Sequence, residues 1–309
     1  MAAVSVLTEG EAGMGGKMMW TRQSWKVGAY LAFACASAAA QAADDNLKTG
    51  GPYVPTPQVV VDGMLRMAGV NANDYVIDLG SGDGVIVLTA ARQFKASGMG
   101  VDIDPDLVKL SNASAQKFGV ADRARFVRED VFKADLSKAS VLTLYLLPGM
   151  MMNLRTKLFN ELKPGTRVVS HDYHFGDWTS DDSIGLDVPE KESITGVPRA
   201  TIMLWYVPAR IAGTWDVKVA GGETYQLALK QRFQVVEGTA SAAGKPLRPQ
   251  NLALRGNDFG FALPEGKGTA RFSGRVNGET MEGSVELPGG KVTQRWTATR
   301  MAVGKVITE

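Results

Sequence analysis

Asp78-Leu79-Gly80-Ser81-Gly82-Asp83-Gly84 is the stretch that decides how this chain folds. Tyr75-Val76-Ile77 ahead of it are aromatic and β-branched and predict a short buried strand. Val85 to Gln93 run on without a breaker and predict a helix. A strand, a glycine-rich turn and a helix let a ligand approach the backbone closely, with N–H groups and a helix N-terminus turned toward it. Asp102 follows Asp78 by 24 residues and closes a second apolar strand, Met99-Gly100-Val101. At that separation an acid ending strand two reaches the hydroxyls of a ribose.

The glycine spacing narrows the choice of nucleotide. A dinucleotide turn wants glycine at its first, third and sixth positions. Those positions here are Gly80, Gly82 and Val85, and Gly84 comes one place early. The pattern D-x-G-x-G-x-G resembles instead motif I of the class I S-adenosylmethionine (SAM) methyltransferases. Gly100-Val101-Asp102-Ile103-Asp104-Pro105 resembles the strand-two acid motif of that class, and Phe126-Val127-Arg128-Glu129-Asp130-Val131 its adenine-contacting segment. The resemblance implies SAM as cofactor. Asp78, Gly80, Ser81, Gly82 and Gly84 would then face its amino-acid tail, and Asp102 would accept from both ribose hydroxyls. Asp130 would accept from the adenine amino group, with Ile103 and Val131 on the faces of the ring. Asp104 reads as a loop residue and Asp106 as the acidic start of a helix.

Residues 50 to about 208 alternate strand and helix patterns, as a parallel α/β sheet does. Thr56-Pro57 predicts the start of a first helix, threonine as N-cap and proline at its first position. From Gly213 onward there is no helical run, only short alternating segments, with a hairpin expected at Asn277-Gly278. The fold class expected is α/β: a Rossmann-like class I methyltransferase domain (43–209) followed by a small all-β barrel or sandwich (210–309). Gly213-Thr214-Trp215 is similar to the G-x-W start of lipocalin and avidin barrels, so the β segment reads either as a ligand barrel or as a packing module.

The first 42 residues read as something other than fold. Lys17, Arg22 and Lys26 precede an apolar run, Val27 to Ala40, that ends in Ala40-Gln41-Ala42. Basic region, short apolar region and A-x-A describe a secretory signal peptide cleaved after Ala42, giving an exported, periplasmic chain. The apolar run is short for a membrane span, so the mature chain is expected not to cross one. The one cysteine, Cys35, falls inside that run. With 34 basic against 32 acidic residues and no basic stripe, nucleic acid is not an expected partner.

Methyl transfer is mainly alignment of nucleophile, methyl carbon and sulfur, so the acceptor must meet the rim at the carboxyl ends of the strands. Pro52-Tyr53-Val54-Pro55-Thr56-Pro57, Tyr145-Leu146-Leu147-Pro148-Gly149-Met150 and Ser170 to Trp178 lie there. The Asn/Asp-Pro-Pro-Tyr/Phe segment of enzymes that methylate planar amino groups is absent after strand four. At these residues the chain resembles the seven-strand lysine methyltransferases whose animal members modify the c-ring protein of ATP synthase and the adenine nucleotide translocase. The resemblance covers roughly 50–180 and rests on Pro52-Tyr53-Val54-Pro55, motif I, Leu147-Pro148-Gly149-Met150-Met151 and the aromatic loop ending in Trp178. It implies a protein lysine as acceptor, with Tyr53, Asp172, Tyr173 and Trp178 as candidate catalytic residues and Tyr145 beside them. Aromatic faces suit a cationic head, and a desolvated slot favours the neutral amine. Asp172, His171, His174 or water could take the proton. The same aromatics also read as ordinary core. The two histidines lack a third ligand at metal spacing, so no metal is expected. Two other readings stay open: a small-molecule O- or N-methyltransferase, and an exported protein that holds SAM or a related nucleoside without turnover. The second is motivated by an export signal on a protein whose cofactor is made in the cytoplasm.

Overall fold

The computed structural model describes residues 51–290 and 293–308; the leader pattern of residues 1–42 lies outside them. Two sheets make up the described chain. The first holds β1 (Tyr75–Leu79), β2 (Ser97–Asp102), β3 (Ala124–Arg128), β4 (Val141–Leu144), β5 (Arg167–His171), β6 (Asp182–Asp187) and β7 (Arg199–Tyr206) in the order β3-β2-β1-β4-β5-β7-β6. Strands β1 to β5 run parallel to one another, and β7 runs antiparallel between β5 and β6.

Period-two alternation in β1 splits the core into two layers. Val76 packs on one face with Val60, Val61, Met64 and Leu65 of helix α1 (Gln58–Met67) and with Ile86 and Ala90 of α2 (Val85–Gln93). Ile77 and Leu79 pack on the other face. There α4 (Pro148–Glu161) supplies Met150, Met151, Leu154 and Leu158; α3 (Pro105–Lys117) lies against β2 and β3. Helix α1 begins one residue later than the sequence suggests: Pro57 is its N-cap, no side chain caps it, and Thr56 stands outside. Strand β6 carries no readable signal, because Asp182-Ser183-Ile184-Gly185-Leu186-Asp187 is an exposed edge held by backbone pairing to β7.

The second sheet is an antiparallel meander of β8 (Gly213–Val219), β9 (Thr224–Arg232), β10 (Val235–Ala242), β11 (Lys245–Leu247), β12 (Gln250–Arg255), β13 (Asp258–Glu265), β14 (Gly268–Asn277), β15 (Thr280–Glu286) and β16 (Thr293–Val303). First and last of these, β8 and β16, pair with each other, and β10 comes close to β12, so the sheet curls toward a cylinder. The expected hairpin forms with Asn277 as the last strand residue and Gly278 (φ 60°) opening the turn. The interior is filled by Trp215, Phe259, Phe261, Phe272 and Trp296 with Leu227, Leu229 and Met281. Arg300 of β16 covers the Trp215 ring at 4.5 Å, and Trp215 Nε1 donates to Ile211 O at 2.8 Å. The Gly213-Thr214-Trp215 segment therefore seals a packed core.

Short β17 (Val306–Ile307) pairs in parallel with the end of β9. The buried Gln231 of β9 ties this corner to the segment between the sheets. Its Oε1 accepts from Ile211 N (2.7 Å) and Ala212 N (3.3 Å), and its Nε2 donates to Ala209 O (2.8 Å) and Phe233 O (2.7 Å). Replacing that amide strands four buried backbone groups, so Gln231→Leu should lower stability by roughly 2–4 kcal/mol despite its similar size. Chemical unfolding checks this; an unchanged midpoint contradicts the role.

Candidate active site

The carboxyl ends of β1, β2, β4 and β5 and the turn after β3 open onto a cavity of about 590 Å³. Asp78, Gly80, Ser81, Gly82, Asp83, Asp102, Ile103, Asp130 and Val131 line it, together with Tyr53, Tyr145 and Tyr173. Gly84 does not. It starts α2 with φ 83°, and a Cβ there would meet Phe126 at 2.7 Å and Ser111 at 2.9 Å, so its role is packing.

The turn differs from the sequence expectation in what it presents. Gly80 N and Ser81 N donate to Val101 O at 2.8 and 3.0 Å, and Gly84 N donates to Ser81 O at 2.8 Å. Gly82 N donates to Asp102 Oδ2 at 2.8 Å. These amides are spent inside the protein and do not form an anion cradle. What faces the cavity is carboxylate: Asp78, Asp83, Asp102, Asp104, Asp106 and Asp130 line it, and among the described residues no Lys, Arg or His does. Such a site suits a cationic ligand and repels a pyrophosphate.

Each acid is held in place. Asp78 is buried at the centre of the sheet, where Thr143 Oγ1 donates to its Oδ1 at 2.7 Å. Burial, with Asp102 and Asp83 nearby, pushes its carboxyl up to about 7, and the Thr143 bond opposes that rise. Asp102 also accepts Asp104 N at 3.0 Å, so both its oxygens are aimed by backbone. Asp130 Oδ1 accepts Phe132 N at 2.9 Å. Asp104 caps α3 by accepting from Asp106 N at 2.8 Å. SAM fits this donor set: Asp78 would hold its ammonium, Asp102 its ribose, and Asp130 its adenine between the half-exposed Ile103 and the buried Val131. A Cβ on Gly80 would come within 2.5 Å of Leu146, and one on Gly82 within 2.6 Å of the Tyr53 ring.

Three tyrosines form the remaining wall. Tyr53 lies across Gly82, and its hydroxyl, hydrogen-bonded to Asp83, is held above the ordinary tyrosine range by burial and that charge. Tyr145 stacks on His171 at 3.9 Å and lies 6.1 Å from Tyr173. Burial pushes the Tyr145 hydroxyl up to about 12. His171 is fully buried with no hydrogen-bond partner on either ring nitrogen. Burial lowers it to about 4, against the pull of Asp172, so it stays neutral near pH 7 as a flat backing for Tyr145.

Two candidate catalytic residues stand elsewhere. Asp172 (φ 64°) does not line the cavity: it pairs with the buried Lys191 and accepts Thr201 N at 2.9 Å. Trp178 is fully buried in the core, stacked on Phe175 at 5.4 Å and on Phe233 at 5.3 Å, and cannot touch an acceptor. His174 turns outward and accepts Gly176 N at 2.9 Å. Thr143 and Lys191 escaped the sequence reading, being common residue types without a motif; Asp83 stands inside the glycine turn but was given no role of its own.

Fold and site together define a SAM-dependent class I methyltransferase. Residues 78–182 match the ANTKMT methyltransferase domain family. A protein-lysine N-methyltransferase of Saccharolobus islandicus is 43% identical over 137 residues, covering 44% of this chain and 85% of that one. A lysine N-methyltransferase of Xenopus laevis, named for the c-type protein of ATP synthase, is 35% identical over 138 residues, covering 44% of this chain and 60% of that one. This chain thus spans about three fifths of the frog protein. A solved RNA methyltransferase of Salinibacter ruber, bound to S-adenosylhomocysteine, is 47% identical over 51% of this chain and 96% of its own, with a TM-score of 0.47. The chain belongs to the ANTKMT-type methyltransferase family.

Asp102→Ala should weaken SAM binding by about 1.5–3 kcal/mol, through lost charged hydrogen bonds and a loosened turn. Gly82→Val should cost more, since φ 53° disfavours a β-branched residue and the turn that Asp102 holds through Gly82 N would have to shift. Calorimetry with SAM measures both, and unchanged affinity refutes the assignment. Asp78 must be ionised to hold an ammonium, so below its raised pKa binding releases a proton. Affinity should therefore climb as pH rises toward about 7 and level off there. Asp78→Asn should flatten that slope.

Proposed function

We propose that the protein transfers methyl groups from SAM to the ε-amine of protein lysine residues. The observation that carries this reading is the mouth of the cavity: three tyrosines and a ring of aspartates, with no cationic side chain lining it among the described residues. A lysine ammonium is drawn to such a mouth by the carboxylates and by the faces of the rings. The relatives of this family that are named for a lysine acceptor support the same choice.

Bound SAM supplies an electrophilic methyl group; the chain's own part is to present the amine in line with it. A lysine with pKa near 10.4 must lose its proton first, at a cost of roughly 4–5 kcal/mol at neutral pH. Tyr53, Tyr145 and Tyr173 exclude water from the aliphatic stem and favour the neutral amine by desolvation. Asp172 is committed to Lys191 and Thr201, so the proton passes to solvent at the mouth. The mature chain, on the leader reading of residues 1–42, acts outside the cytoplasm; N-terminal sequencing of the processed protein should begin at Ala43.

Incubation with tritiated SAM and an envelope extract should label protein, and hydrolysis should return the label as methyllysine; label confined to small molecules refutes the reading. Tyr53→Ala and Tyr173→Ala should lower turnover more than SAM affinity, because they touch the acceptor side. With no dedicated base, the rate should rise with pH above 7 as the neutral amine becomes commoner, approaching about tenfold per unit. Asp172→Asn should leave that profile intact while lowering stability by roughly 2–4 kcal/mol, by stranding the buried Lys191. A pH profile that loses its rise in Asp172→Asn would restore Asp172 as the base.

A further inference from the structure

The turn between β9 and β10 is two residues long, Phe233-Gln234, and Phe233 sits in the left-handed region at φ 50°. That conformation ordinarily goes to glycine, and a bulky side chain adopts it only where the surroundings compensate. Here the ring is buried in the core of the first sheet. It stacks face to face on Trp178 (5.3 Å, 4° between planes), meets Phe159 of α4 edge-on at 5.7 Å, and is covered by Arg155 of α4 at 5.3 Å.

Its neighbours grip the same loop. Arg232 pairs with Asp177, which Arg155 also holds, and Gln234 Nε2 donates to Thr179 O. The gripped loop follows β5. It carries Tyr173 into the cavity, and two residues later Phe175 is pinned between Trp178 and Trp205 (4.8 Å). Helix α4, on the other side of the tip, starts beside Tyr145 and lines the cavity through Met150. The strained hairpin tip thus touches both segments that shape the acceptor wall, without reaching the cavity itself.

We propose that Phe233, with Arg232 and Gln234, is a positioning element of the methyl-transfer site: the second sheet holds the loop that sets Tyr173 against the acceptor. This rests on reading the tyrosine mouth as the acceptor entrance. It gives the β segment a role in acceptor placement, distinct from binding a ligand of its own.

The test uses the full chain in three forms: Phe233→Ala, the surface pair Arg232→Gln with Gln234→Ala, and Phe233→Leu. The surface pair leaves the apolar core untouched and keeps the test valid where Phe233→Ala does not fold. Hydrogen exchange over residues 172–179 should quicken by about 10-fold in the first two forms, and Phe233→Leu should bring it most of the way back. With poly-L-lysine as acceptor, kcat/KM should fall ~10-fold while SAM affinity stays within ~2-fold. Adding Tyr173→Ala should bring little further loss, because both changes act on one contact. Unchanged exchange overturns the clamp. Quickened exchange with full transfer, a parallel loss of SAM affinity, or losses that simply add to Tyr173→Ala overturn the positioning role. If the wild type binds SAM but labels neither poly-L-lysine nor any envelope protein, the lysine reading fails, and the exchange measurement decides the clamp alone.

Discussion

The carboxylate of Asp102 fastens the glycine turn to the end of the second strand, and the character of the site descends from that bond. With Gly82 N on Asp102 and Gly80 N and Ser81 N on Val101 O, three of the turn's amides are turned inward, away from the cavity. A turn that consumes its own amides exposes oxygen, and the surrounding aspartates deepen the negative potential. The same strand–turn–helix outline that elsewhere grips a pyrophosphate here receives a sulfonium cation with an ammonium tail. The difference lies in where a handful of N–H bonds point.

The tyrosine wall of the cavity depends on a different kind of support. Tyr145 and Tyr173 stand at strand ends, where loops usually wander. Each has support: His171 stacks behind Tyr145, and Tyr173 packs against the core cluster that contains Phe175, Trp178 and Phe233. His171 suits its place because burial keeps it uncharged, so it adds a flat surface and no competing cation. Asp172, Lys191 and Thr201 tie the back of the loop to β7. Cavity lining and scaffolding occupy adjacent positions in the chain, and so the neighbours Asp172 and Tyr173 face different surroundings.

The cofactor half of the molecule was legible in the sequence because its signals are local. Asp78, Asp102 and Asp130 stand at or just past the carboxyl ends of successive strands, and every one of them lines the cavity. The acceptor half was legible only as residue type. Trp178 and Tyr173 sit five residues apart in one aromatic loop, yet one is core and the other is wall. What separates them is Phe233, which arrives from 55 residues downstream of Trp178 and which no local pattern announces. The glycine turn shows a subtler miss: its position was readable and the direction of its amides was not, since that is set by pairing with β2. Thr56 and the β6 edge escaped for the same reason, local propensity giving way to tertiary pairing.

The two-residue strand at the end of the described chain, β17, lies against Gln231 and Arg232, and Phe233 N donates to Ile307 O at 3.3 Å. A ribosome adds residues in order, so the catalytic half is complete as sequence long before its last core side chain has been made, and longer still before that side chain is tied down. A nascent chain stopped short of residue 307 would hold a cofactor pocket on an unfinished interior. The order of synthesis therefore leaves this corner of the core open until β9, β10 and β17 have all been made.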